Sequence, residues 1–147
     1  AGGITTLEDK SCGCVQKGGT AVVTRVLEYG EKACENGLQL LCSPGNDIVS
    51  TTALTAAGAH LILFTTGRGT PLGAAVPTVK ISSNSPLAER KPGWIDFDAG
   101  VLLNVTDFNT AADELEKLIL KTASGEKTKN EKNAFFEFAI WKDGVTM

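Results

Sequence analysis

Ten consecutive residues carry the densest group of chemically competent side chains: Phe64-Thr65-Thr66-Gly67-Arg68-Gly69-Thr70-Pro71-Leu72-Gly73. They follow the apolar run Leu61-Ile62-Leu63-Phe64, which reads as a buried strand, so polar chemistry begins where a strand ends. In open parallel sheets ligands bind in the crevice beyond the carboxyl ends of the strands. Glycines at 67, 69 and 73 let backbone approach a bound group, and the hydroxyls of Thr65, Thr66 and Thr70 with the Arg68 guanidinium offer donors to an oxygen-rich anion. A carboxylate, a phosphate or a polyol meets that description. The same residues also make an ordinary turn. No lysine follows Gly73, and the position three after Gly69 is Leu72, so neither nucleotide phosphate-loop pattern is met.

Other candidates are fewer. Lys17, in Gln16-Lys17-Gly18-Gly19-Thr20, is placed to meet an anion ahead of an expected helix. Asn46 and Asp47 follow Ser43-Pro44-Gly45 and suit a helix N-terminus, either as cap or as the rim of an anion site. Asp96 and Asp98, two apart on a strand, share a face and so offer oxygens to a hard cation or merely to solvent. His60, the sole histidine, stands at the opposite end of its strand from the glycine loop. Cys12, Cys14, Cys34 and Cys42 lack the paired Cys-x-x-Cys spacing of a zinc or iron-sulfur site and are expected to pack as small hydrophobes.

These groups must be positioned by alternating elements, which imply an α/β fold: an open, mostly parallel, Rossmann-like sheet with helices on both faces, in one domain. The expected order is an extended lead-in over 1–19, a helix from Thr20 to about Glu31 and a strand Leu38–Cys42. A helix from Asn46 or Asp47 to Ala57 ends at Gly58, and strands follow at His60–Phe64, Val76–Ile81 and Trp94–Phe97. A helix lies between Thr106 and Ser124, and a last strand spans Phe136–Trp141. If the strands ending at Cys42 and Phe64 are neighbours, their loops lie side by side.

With 42% apolar and 21% charged residues among 147, the composition is that of a folded globular domain. The net charge of -3 speaks against a nucleic-acid surface, and Lys127, Lys129 and Lys132, mixed with Glu126 and Glu131, read as a solvated turn. No apolar run suits a membrane span, and the first thirty residues lack the pattern of a signal peptide, so a cytoplasmic protein is expected.

The loop 64–73 resembles a signature of the altronate/galactarate dehydratase family, sugar-acid hydro-lyases of bacterial hexuronate and aldarate breakdown. Further similar segments occur in the same order: Thr5–Ser11, Gly13–Thr20, Pro44–Asp47, Val76–Ile81, Trp94–Gly100 and Ala123–Gly125. Together they cover nearly the whole chain. The resemblance implies the C-terminal domain of a longer enzyme that converts an altronate- or galactarate-type sugar acid to a 2-keto-3-deoxy acid. It also extends to a sulfolactate sulfo-lyase subunit, and a non-catalytic assembly domain is the remaining alternative. It implies a requirement for iron(II) or another divalent cation, with ligands not assignable to this chain. The substrate-binding set is then Thr65, Thr66, Gly67, Arg68, Gly69, Thr70, Asn46, Asp47 and Lys17. The partner is the N-terminal region of the same enzyme. Alone, the chain is expected to be inactive and to self-associate through an apolar patch.

Overall fold

The computed structural model describes residues 6–103 and 107–140. Its elements run α1 (Leu7–Lys17), β1 (Val23–Leu27), β2 (Leu38–Leu41), α2 (Asp47–Ala57), β3 (Ile62–Thr66), β4 (Thr78–Ser82), α3 (Ser85–Arg90) and β5 (Phe97–Asp98). A 3-10 helix (Ala99–Leu103), α4 (Phe108–Ala123) and α5 (Lys129–Lys132) complete them. The class is mixed α/β and the strand pairings are parallel, as expected, but the strands divide into two sheets. β1 pairs with β2, and β3, β4 and β5 form a second sheet with β4 in the middle. β2 and β3 are not paired, so the expected single open Rossmann-like sheet is replaced by these two smaller ones.

The central strand explains the second sheet. All five residues of Thr78-Val79-Lys80-Ile81-Ser82 are buried. Alternation puts Val79 and Ile81 on one face and Thr78, Lys80 and Ser82 on the other. On the first face Ile81 shares a small cavity with Phe97, Leu102, Ala111 and Leu115. The second is polar because of what lies over it. The chain after β3 folds back across β4, and backbone buried in this way must find hydrogen-bond partners. Thr78 Oγ1 accepts from Ala74 N (3.0 Å), Asn130 Nδ2 donates to Thr78 O (3.0 Å), and Lys80 Nζ donates to Leu72 O (2.6 Å). Gly73 is packed so closely that an added Cβ would lie 2.1 Å from Phe135 O, and its own carbonyl accepts from Glu137 N (2.7 Å).

Several expected elements differ. Leu7–Lys17, within the stretch expected to be extended, is helical. The expected helix from Thr20 is strand β1, because Val22, Val23, Thr24 and Val26 are β-branched and favour a pleated surface, and apolar spacing alone did not reveal it. The strand expected from His60 starts at Ile62, and the one expected at Trp94–Phe97 is reduced to Phe97–Asp98, with Trp94 and Ile95 donating their amides to Lys91 O in a turn. Residues 136–140 are irregular rather than a strand: Glu137 N is taken by Gly73 O and Ala139 N by Thr52 Oγ1 (3.0 Å), so no strand ladder forms. Trp141 lies outside the described residues. α2 matches its expected limits, capped by Asn46 and closed by Gly58. α4 begins one residue after its cap, Asp107, and ends at Ser124.

Candidate functional site

The parallel register brings three strand ends together, pairing Thr66 with Ser82 and Ser82 with Asp98. Loops from β3, β4 and β5 therefore leave one edge of the sheet side by side. This is the crevice in which α/β sheets bind ligands.

The loop after β3 is built around Thr66. Its side chain is buried, and Oγ1 accepts from the amides of Gly69 (2.9 Å), Arg68 (3.3 Å) and Thr70 (3.5 Å). Thr66, expected to meet substrate, instead turns inward and shapes the loop. Gly69 takes φ +80, a backbone angle that calls for glycine, and packs against the Leu87 and Lys91 side chains. The Gly67 carbonyl accepts from Asn84 Nδ2 (3.2 Å), tying this loop to the one after β4. Lys80 Nζ donates to Thr70 O and Leu72 O, and Lys91 Nζ donates to Gly69 O (3.2 Å).

With the backbone held, Thr65 and Arg68 remain exposed. Among the described residues the Arg68 guanidinium has no hydrogen bond or ion pair, whereas Arg25 binds Glu31 and Glu35. Thr65 Oγ1 accepts from Lys17 Nζ (3.1 Å), so the end of α1 reaches the same loop from 48 residues away. Lys17 also lines a cavity of about 370 Å³ with Val15, Gly18, Val23, Leu38 and Leu40. The structure thus joins Lys17, Thr65 and the loop 66–70. Asn46 is the cap of α2, its Oδ1 accepting from Ile48 N (3.1 Å) and Val49 N (3.3 Å), and Asp47 is an exposed first-turn residue. Their loop leaves β2, in the other sheet.

Lys80 was missed in the sequence. A lysine between Val79 and Ile81 in a β-branched strand was the available signal. It is 1% exposed, lies 4.8 Å from the centre of the Phe64 ring, and is pushed down from the usual 10.5 to about 8. Burial is the main cause, opposed by Asp96, Glu137 and Asp47 and reinforced by Lys91.

The acid pair does not form a cation site. Asp96 spends one oxygen on Lys80 N (2.8 Å) and the other on Lys129 N (2.8 Å), while Asp98 Oδ1 accepts from Gly100 N (2.8 Å). These carboxylates pin backbone, and among the described residues no group of three or more His, Cys, Asp or Glu is arranged to hold a metal. The described residues by themselves do not form a site for the implied cation. Cys12, Cys34 and Cys42 are free and exposed rather than packed as small hydrophobes, and the Cys14 side chain lies outside the description. Lys129 Nζ donates to Ile95 O, so the presumed solvated lysine turn is partly anchored. His60 is exposed in the connection before β3. Among the described residues no helix is long and apolar enough to cross a membrane.

The profile of the D-galactarate/altronate dehydratase C-terminal family matches residues 1–146, including every loop just described. The chain belongs to this family. It is 56% identical over 147 residues to the altronate dehydratase of Escherichia coli (strain K12) and 52% identical over 148 to that of Bacillus subtilis (strain 168). Each comparison covers 100% of this chain and 30% of the relative. The galactarate dehydratase (L-threo-forming) of Escherichia coli is 34% identical over 128 residues, covering 86% of this chain and 24% of that protein. As a family member, the chain thus spans less than a third of the altronate dehydratases it matches.

Proposed function

We propose that this chain is the part of a sugar-acid hydro-lyase that grips the substrate carboxylate, the complete enzyme converting an altronate- or galactarate-type acid to a 2-keto-3-deoxy acid. The observation that carries this reading is an exposed Arg68, without a partner among the described residues, on a loop whose backbone is fixed on both sides, at the carboxyl end of a parallel strand. Family membership supports the reaction class.

The chemistry sets the demand. Water is lost when the proton beside the carboxylate is removed, hydroxide leaves from the next carbon, and the resulting enol becomes a ketone. Negative charge grows on the carboxylate as its neighbouring proton leaves, so donors aimed there stabilise the transition state. Arg68 supplies two parallel N–H donors to the carboxylate. Thr65, with Lys17 bonded to its hydroxyl, supports binding of the polyol chain beside it. The loop 64–73 holds no carboxylate or imidazole to take up the proton, and we assign that acceptor and any divalent cation to the rest of the enzyme. Exposed Val23, Val26 and Leu40 on the β1–β2 pair support packing of that region against this chain, since parallel sheets are ordinarily covered on both faces.

The test is Arg68→Lys and Arg68→Ala in the complete enzyme. Loss of a charge-assisted, two-pronged contact is worth about 1.5–3 kcal/mol, so kcat/KM should fall roughly ten- to a hundredfold at unchanged melting temperature. Near-normal kinetics in both variants would remove the loop from the substrate site.

A further inference from the structure

We propose that Lys80 is a positioning residue for this reaction: bonded to the carbonyls of Thr70 and Leu72 beneath the loop, it fixes the shape from which Arg68 meets the substrate. The proposal rests on the reading of that loop as the carboxylate site.

A buried lysine is an expensive way to fill a strand position, and such residues are almost never fully buried unless partnered. Here the partners are backbone carbonyls. Lys80 stands directly across from Phe64 in the parallel register, on the face of β4 that the returning chain crosses. An ammonium has three donors and no acceptor. Two go to Thr70 O and Leu72 O, and the cation also faces the Phe64 ring. Lys91, itself 4.3 Å from the centre of the Trp94 ring, takes the adjacent Gly69 carbonyl. Thr66 draws the amides of residues 68–70 in the opposite sense. Amides and carbonyls of this short segment are thereby tied down, and the Arg68 side chain is left outside.

The arrangement does not depend on the charge of Lys80. Asp96, Glu137, Asp47 and Lys91 are the charged groups that bear on it, and a neutral amine still has two N–H donors for its two carbonyls. The decisive measurement is therefore coupling to Arg68, rather than an alkaline limb in the rate.

In the complete enzyme, kcat/KM, melting temperature and amide exchange of residues 68–72 are measured for Lys80→Met, Arg68→Ala and the double variant. Lys80→Met is expected to lose tenfold or more in kcat/KM, mainly through KM, with faster exchange in the loop. The double variant is expected to be within about threefold of Arg68→Ala, because a misplaced loop costs nothing further once its functional group is gone. Losses that multiply, or normal efficiency in Lys80→Met, overturn the proposal while leaving the Arg68 reading intact. Normal efficiency in Arg68→Ala overturns the reading itself. If Lys80→Met does not fold, Lys80→Leu, which also removes every N–H donor to the Thr70 and Leu72 carbonyls, enters the same cycle with the same criteria.

Discussion

At Thr66 one oxygen atom accepts from three successive amides, a demand that a near-isosteric valine fails to meet while a serine still satisfies it. Thr66→Val leaves buried N–H groups unpaired, which costs about 1–3 kcal/mol, and frees the Arg68 segment to adopt other shapes. Expected results are a lower melting temperature and faster amide exchange at 68–70 in Thr66→Val, with Thr66→Ser close to wild type. A Thr66→Ser variant less stable than Thr66→Val would show that the methyl packing matters more than the hydroxyl. Arg68 is the complementary case, a side chain that the described fold does not use and whose replacement should spare stability.

At the level of elements, α2 is set by its ends. Asn46 Oδ1 takes two of the amides that an α-helix leaves unpaired at its start, and Asp47 adds a favourable charge in the first turn. Asn46→Ala should therefore destabilise the chain by about 1 kcal/mol, measured as a shift in the denaturation midpoint. Asn46→Asp should restore most of the loss. If Asn46 served chiefly as a substrate ligand, alanine would change KM and leave the midpoint alone. The same logic of satisfied backbone governs β4, whose polar face exists to receive the chain crossing it. In that light Thr78, Lys80 and Asn130 form one set of donors and acceptors spanning β4 and α5.

For the whole molecule, Lys80 links folding to pH. Folded, it releases its proton near pH 8; unfolded, it holds it to about 10.5. Between those values the unfolded state binds more protons, so stability rises with pH. Below about 8 the cost of burying the charge is present in full, and above 10.5 it is gone. Urea unfolding of the wild type and Lys80→Met from pH 7 to 10.5 isolates this contribution from that of the other titrating groups. The wild type should gain on the order of 3 kcal/mol relative to the variant, at ~1.4 kcal/mol per pH unit. A constant difference across that range would mean that burial leaves the amine's proton affinity unchanged.

Where the determinants are local, the sequence alone sufficed. Asn46 and Gly58 bracket α2, the 3.6-residue stripe with Gly125 as its stop marks α4 within two residues, and the Leu61–Phe64 run marks β3 within two residues, because caps, turns and periodicity act between near neighbours. The family signature in Phe64–Gly73 likewise located the loop of greatest interest. What remained hidden depends on residues far apart in the chain. Val22–Val26 reads equally as a helical stripe or a strand until Leu38–Leu41 pairs with it. Asp96 resembles a cation ligand until the backbone amides of Lys80 and Lys129 take both its oxygens. Thr66 and Arg68 carry equal promise as written letters, and only the buried hydroxyl of one and the exposed guanidinium of the other separate scaffold from candidate ligand. Lys80 shows the reason most plainly: its role is set by carbonyls eight and ten residues back, which reach its amine only when the chain after β3 folds across the sheet.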